Sequence, residues 1–294
     1  MKNWIKAFRL RTLPLAFSCI ITGSFIHYHE KFSWLIFSLA LSTTLFLQVL
    51  SNLANDYGDF VKGTDNVERV GPERSLQSGA ITKKAMFRAI IICSFLSLIS
   101  GITLLGFSFN WEFSSSFIVL LILGLLGIFA AIKYTVGKFA LAYHALGDMF
   151  VFLFFGLVGV MGSSYLQTNE FHSTDIHLGI TIGLLSTAVL NMNNMRDHVN
   201  DAAQNKNTLV VKLGFEKAKR YHSFLIITAL AYAIISFIGK SPLLFLSLIA
   251  FIPLTLNVIK VWKTREPKEL DPELKKIALS TFGFSLLKAI LIIF

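Results

Sequence analysis

An all-α membrane bundle is the fold class this sequence predicts, and three observations carry that prediction. Hydrophobic residues fill 54% of the 294 positions and charged residues only 15%, with 28 phenylalanines and a mean hydropathy of +0.65. A soluble chain of this size needs far more charge to cover its surface. The apolar residues gather in repeated runs of about 20, the length that crosses a hydrocarbon core of about 30 Å. The Lys and Arg residues behind the net charge of +10 are concentrated in alternate connecting segments, so the bilayer, and not nucleic acid, is the expected partner.

Taken in order, nine spans are expected, at roughly 12–28, 33–54, 86–107, 114–133, 144–166, 176–195, 221–239, 241–262 and 277–294. An odd number puts the two chain ends on opposite sides of the membrane. With the N-terminus cytoplasmic, the cytoplasmic segments hold four basic residues (Lys2 to Arg11), six (Lys62 to Arg88), two (Lys133 and Lys138), six (Arg196 to Arg220) and six (Lys260 to Lys276). Of the 27, only Lys31 and Lys240 fall in outer loops, and Lys288 lies in the last span, close enough to its outer end to snorkel. The expected topology is N-terminus in and C-terminus out, as a single domain over residues 1–294 with polar cap loops at 55–88 and 196–220.

The first span follows Lys2, Lys6, Arg9 and Arg11 and contains Thr22-Gly23-Ser24, features shared with a cleavable signal. It is read as retained, because Arg11-Thr12-Leu13-Pro14 forms a helix entry with proline in the first turn and the charge count stays coherent with this span in place. The outer segment Ser108 to Phe113 is short, and Gln167 to His177 carries no Lys or Arg. Cys19 and Cys93 lie in apolar runs without CxxC or Cys/His spacing and read as small core residues. Function is therefore expected at the cytoplasmic cap.

Two stretches there carry chemistry. In SNLANDYGDFVKGTD, Ser51 to Asp65, the residues Asn52, Asn55, Asp56 and Asp59 stand at relative positions 0, 3, 4 and 7, one face of a helix. Gly63 breaks that helix and returns Asp65 in a turn, with Lys62 beside it. In the segment Leu190 to Gly214, the residues Asn194, Asp197, His198 and Asp201 repeat the spacing. One such stripe is equally a solvated helix end. Two of them, each at the cytoplasmic end of a membrane helix and followed by a basic loop, suit hard divalent cations, and Mg²⁺ is commonly held by one or two carboxylates plus substrate phosphates. Arg74, Lys83, Lys133, Lys138, Arg196 and Lys206 supply the positive charge a diphosphate needs, although each also satisfies the positive-inside rule. The expected arrangement has the second and sixth spans facing each other across a cavity.

Asn55 and Asp59 four apart, followed by Gly63 and Asp65, with Asp197 and Asp201 as a later pair, resemble the two aspartate-rich motifs of the UbiA superfamily of intramembrane prenyltransferases. The likeness covers nearly the whole chain. Within the superfamily, SNLANDYGDFVKGTD, GPERSLQSGAIT, KYTVGK, NMNNMRD and NKNTLVVKLG are similar to the menaquinone branch. Arg74 lies in Arg-Ser-Leu-Gln-Ser-Gly, which resembles an Arg-Pro-Leu-x-Ser-Gly segment found downstream of motif one.

The resemblance implies Mg²⁺ on Asn55, Asp56, Asp59, Asp197 and Asp201. It implies contacts to substrate from Asn55, Lys62, Arg74, Lys138, Asn193, Arg196 and Lys206. The implied donor is a polyprenyl diphosphate and the implied acceptor 1,4-dihydroxy-2-naphthoate, giving demethylmenaquinone with loss of carbon dioxide and diphosphate. The setting would be a bacterial cytoplasmic (inner) membrane, with the site facing the cytoplasm and no obligatory protein partner. Asp65 is the expected general base, with Asp56 as its rival, and Tyr134 and Tyr143 are candidate cation or acceptor contacts. Motif two departs from the family at Asp201-Ala202, where an Asp-Arg pair followed by glycine is usual; Lys206 is the nearest replacement for that arginine. Other acceptors, such as 4-hydroxybenzoate or homogentisate, remain alternatives. A secondary transporter is the distant one, and it would carry its carboxylates near span midpoints.

Overall fold

The computed structural model describes residues 2–66 and 70–294, and among them every regular element is helical. Arg69, one of the six basic residues counted between Lys62 and Arg88, lies outside the described residues. Short α1 (Lys2–Phe8) turns into α2 (Leu13–Ser24), which has Pro14 in its first turn. There follow α3 (Trp34–Val61), α4 (Lys83–Ser108) and α5 (Ser115–Lys133). Each of these three opens on a hydroxyl cap. Ser33 Oγ accepts from the Ile36 amide at 3.4 Å, Thr82 Oγ1 from Ala85 at 3.2 Å and Ser114 Oγ from Phe117 at 3.3 Å. A cap of this kind contributes about 1 kcal/mol, and it fixes where the helix starts.

Two short helices, α6 (Gly147–Val151) and α7 (Gly162–Thr168), form one rod through a widened, π-helical stretch at Phe152–Met161. That stretch packs on α8 (Ile176–Ala203). A β-carbon on Gly156 would lie 2.6 Å from the Gly179 carbonyl oxygen and 2.7 Å from Gly183 Cα, so only glycine lets the two backbones meet there. Close backbone approach of this sort replaces the hydrophobic drive that helices lack in lipid. The bundle is completed by α9 (Leu209–Leu213), α10 (Phe215–Phe237), a tight 3-10 segment at Pro242–Phe251 running into α11 (Ile252–Lys263), and α12 (Asp271–Ile293).

Among the described residues, eight helices are long and apolar enough to cross a membrane, and they coincide with eight of the nine expected spans. The chain is a multi-pass membrane protein. The first expected span is helical only over the 12 residues of α2, roughly 18 Å at 1.5 Å per residue. Eight of those residues, Ala16 and Ser18 to Ser24, are buried, and α12, α3, α7 and the widened stretch surround them. Much of this helix is packed inside the bundle, and Pro14, Leu15, Ala16, Cys19 and Ile20 line its cavity. Apolar side chains also cover the outer surface, and hydroxyl side chains are buried between helices. Phe87, Ile91 and Phe95 of α4 and Ile118, Val119 and Phe129 of α5 are exposed, whereas Ser18, Thr22, Thr281 and Ser285 are buried.

Two sequence readings concern this core. Cys19 and Cys93 are buried thiols, as expected. Lys288 does not snorkel. It is 1% exposed and donates to the Thr22 carbonyl at 3.1 Å, because α12 turns that face onto α2 and satisfies the amine inside the bundle.

Candidate active site

The ends of α3 and α8 are joined through the residues that follow them. Gly63, at φ +77°, takes the left-handed turn that a β-carbon disfavours, and the Thr64 amide returns to the Asp59 carbonyl at 2.9 Å. From there the Thr64 carbonyl accepts the Asn200 side-chain amide at 3.0 Å, which ties the end of α3 to α8. Lys206, just beyond α8, completes the link. Its Nζ stands 3.5 Å from Asp59 Oδ2 and 3.7 Å from Asp201 Oδ1.

Every carboxylate of the two stripes has a cationic neighbour. Asp56 accepts through one oxygen from both Arg9 and Arg74, and Arg74 Nε lies 3.6 Å from Asp65 Oδ1. Arg9 reaches Asp56 from the turn between α1 and α2, where its own backbone sits at φ +48°, a region few residues other than glycine adopt. Asp197 receives two hydrogen bonds from Arg196, at 2.8 and 2.6 Å. Arg196 also donates to Asn193 at 2.9 Å and to Asp271 at 2.5 Å. Tyr143 donates to Asp59 Oδ1 at 2.9 Å, and Lys62 Nζ lies 3.7 Å above the Tyr143 ring.

Burial and the field of these carboxylates together set the protonation of the groups beside them. Burial opposes the charge on Lys206, but Asp59, Asp201, Asp197 and Asp65 outweigh it and raise the ammonium above its ordinary range. Lys62 is shifted the other way, lowered mainly by burial despite Asp59. Burial, reinforced by neighbouring carboxylates, keeps Tyr134 and Tyr143 protonated far above the usual tyrosine range.

These groups cap a cavity of about 1140 Å³. Asn55, Asp56, Asp59, Asn193, Asp197 and Asp201 reach its wall, as do Arg9, Arg74, Tyr134, Arg196 and Lys206. Leu104, Leu120, Leu121, Phe150, Phe154 and Phe155 make the remainder largely apolar. The stripes are therefore brought together. Asn52 also lines the cavity, with its side-chain amide donating to the Phe8 carbonyl at 2.9 Å and Thr12 Oγ1 at 3.0 Å, but not every expected member joins them. His198 turns to the Met195 carbonyl and stacks on Phe215. Lys138 stands exposed beyond Gly137 and is absent from the cavity wall, so it is not in place to touch a substrate there. Asp65 is 7% exposed, also off the wall, and reaches the site through Arg74.

Some participants were not singled out from the sequence. Arg9 was absorbed into the positive-inside count, and nothing in its spacing marks it as the partner of Asp56. Asp148 and Asp271 line the cavity from the start of α6 and of α12. Thr135 Oγ1 donates to the Ala54 carbonyl at 3.0 Å and to Asn55 Oδ1 at 3.3 Å, holding that amide oxygen in the acidic face.

The donor set fits a hard divalent cation. It consists of carboxylate and amide oxygens, and its two helices already share one cation, the Lys206 ammonium, within 4 Å of both Asp59 and Asp201. A charged, oxygen-rich cap over an apolar pocket among membrane helices is an arrangement suited to a ligand with one polar and one apolar end. Residues 16–280 match the model of the UbiA prenyltransferase family, and the chain belongs to that family.

Two relatives are close. One is 1,4-dihydroxy-2-naphthoate octaprenyltransferase of Haemophilus influenzae, 42% identical over 98% of this chain and 94% of its own. The enzyme of the same name from Escherichia coli is 47% identical over 77% of this chain and 73% of its own. Among solved structures, a UbiA homologue from Archaeoglobus fulgidus bound to DMAPP and Mg²⁺ superimposes with a TM-score of 0.68 at 14% identity, covering 99% of each chain, which shows the shared fold.

Proposed function

We propose that this chain transfers a polyprenyl group from polyprenyl diphosphate to 1,4-dihydroxy-2-naphthoate in menaquinone biosynthesis. The observation that carries the reading is the junction of two acidic helix ends, α3 and α8, over one apolar cavity. An isoprenoid tail and its diphosphate need that division of solvent. The naphthoate acceptor is supported by the relatives at 42% and 47% identity. The basic-residue bias supports a cytoplasmic N-terminus, with the acidic cap facing the cytoplasm of a bacterial inner membrane.

In this reading Arg9, Arg74 and Lys206 hold the diphosphate. As the allylic carbon–oxygen bond breaks, the electron pair leaves with the diphosphate, and the three cations stabilise the charge that develops. A hard divalent cation, Mg²⁺ in this proposal, would be held by Asn55, Asp59, Asp197 and Asp201 and would add charge stabilisation for the leaving group. The apolar wall keeps water from the allylic cation. The acceptor ring attacks through its carboxyl-bearing carbon, a carbon–carbon bond forms, and carbon dioxide departs, returning its electron pair to the ring. Both ring oxygens are retained, so the immediate product is demethylmenaquinone in its quinol form. Asp56, which reaches the cavity wall, is the proposed acceptor for the ring hydroxyl proton, which it returns to the ring oxygen as carbon dioxide leaves and the aromatic ring is restored, and Asp65 positions Arg74.

The test supplies purified protein with one radiolabelled prenyl diphosphate and, separately, the naphthoate, 4-hydroxybenzoate or homogentisate. Prenylated product and carbon dioxide release with the naphthoate alone are expected. Turnover with another acceptor but not with the naphthoate would overturn the assignment.

A further inference from the structure

The opposite end of the bundle carries a second cluster of ligating groups. Asp175 precedes Asp197 by 22 residues on the same span, so the two clusters lie roughly 33 Å apart at 1.5 Å per residue. His27 and Glu30 come from the turn between α2 and α3, and His172 and Asp175 from the turn between α7 and α8. One ligand atom each from His27, Glu30 and His172 can be chosen so that all three lie within 4.8 Å of one another.

The linked contacts of Asp175, His27 and Glu30 are of the kind a metal site uses. Asp175 is 3% exposed, accepts from Ser164 Oγ at 2.6 Å, and lies 3.2 Å from His27 Nε2 through both of its oxygens. A buried carboxylate bonded to one imidazole nitrogen fixes the ring and makes the other nitrogen a better ligand. That other nitrogen, His27 Nδ1, is 3.2 Å from Glu30 Oε2. Ligand atoms about 2.0–2.2 Å from a tetrahedral ion stand roughly 3.3 Å apart. The His172 ring stacks on His27 at 3.9 Å between centroids, and among the described residues its Nε2 has no hydrogen bond, with Glu170 Oε2 at 3.9 Å. Glu30 is 67% exposed, which opens the cluster to ions from water.

We propose that His27, Glu30 and His172 form a binding site for a divalent transition-metal ion of the Zn²⁺ type, with Asp175 as the residue that positions His27, stapling the α2–α3 turn to the α7–α8 turn. Two imidazoles and one carboxylate favour such an ion over Mg²⁺, which prefers oxygen alone. The fourth position is left to water or to Glu170.

The test titrates the purified full-length protein with Co²⁺ in excess Mg²⁺, which occupies all-oxygen sites. One equivalent of Co²⁺ with the visible absorption of a low-coordinate nitrogen–oxygen site, displaced by Zn²⁺, is expected. Asp175→Asn should weaken binding roughly 10–100-fold by releasing the His27 ring. His172→Gln and Glu30→Gln should weaken it at least as much, and Zn²⁺ should raise the Tm of the parent protein but not of Glu30→Gln. Because Glu30 is exposed, that variant keeps the test valid if Asp175→Asn fails to fold. No such spectrum in the parent protein, or binding unchanged in both Glu30→Gln and His172→Gln, would overturn the proposal.

Discussion

At the end of α3 the key carboxylate is met by cations from distant parts of the chain: Arg9, 47 residues earlier, and Arg74, 18 residues later, converge on Asp56. At the end of α8 the corresponding role is local, since Arg196 grips its own neighbour Asp197 and reaches Asn193 one turn back. Both stripes share the 0, 3, 4, 7 spacing, yet Asp56 takes both of its arginines from outside its helix, whereas Asp197 takes its arginine from the preceding residue, which is braced in turn by Asp271 of α12. Lys206 is the group common to both. Identical helix-face spacing thus yields two stripes supported differently, Asp56 by distant loops alone and Asp197 first by its own helix and then by α12.

The largest expected effect comes from removing one carboxylate of either stripe. Asp59→Ala and Asp197→Ala should each lower turnover by roughly 10²–10³-fold or more while leaving membrane insertion intact. In each case the cation left behind keeps another partner: Lys206 retains Asp201, and Arg196 retains Asn193 and Asp271. Asp56→Ala would be a poor substitute, because it strips a buried anion from two arginines, and breaking a buried pair typically costs about 3–5 kcal/mol. Near-normal rates at limiting Mg²⁺ in either variant would break the comparison.

Lys206→Gln comes next. With the shared cation gone, the two stripes lose their common contact to the donor, and turnover should fall roughly 10²-fold, read by steady-state assay. An unchanged rate would mean that the two helix ends act separately.

Arg74→Lys sharpens the loop side of the comparison. A lysine keeps the charge but not the fork, so the donor KM should rise about 3–10-fold and kcat should fall, while the naphthoate KM changes little. A raised acceptor KM with donor constants unchanged would assign Arg74 to the naphthoate carboxylate. The smallest effect is expected at Lys138. Exposed and off the cavity wall, Lys138→Ala should stay within about twofold of the parent rate.

These cases mark what could be read from the sequence. Asp56, Asp59, Asp197 and Asp201 were legible because a helical face follows from spacing alone, and the break at Gly63 follows from its freedom at positive φ. The membrane class and the eight long helices followed from apolar run length. Arg9 was not legible, since a pairing across 47 residues exists only once α1 and α2 have folded back on α3. That Asp65 and Lys138 lie off the cavity wall was not legible, since the course of the loops that carry them is not given by residue identity. Lys288 looked like an anchor at the membrane surface, because helix rotation about its axis is set by packing against α2 rather than by hydropathy.

The central claim is that both stripes act on one diphosphate. Donor binding in Mg²⁺ can be measured for Asp59→Asn, Asp197→Asn and the double variant with a radiolabelled, non-transferable prenyl diphosphate. Groups serving one ligand are strongly coupled, with interaction energies of about 0.5–3 kcal/mol. The double variant should therefore bind little worse than the weaker single variant. Losses that multiply, each substitution costing its full factor in the presence of the other, would mean that the two helix ends hold independent sites and would contradict the account.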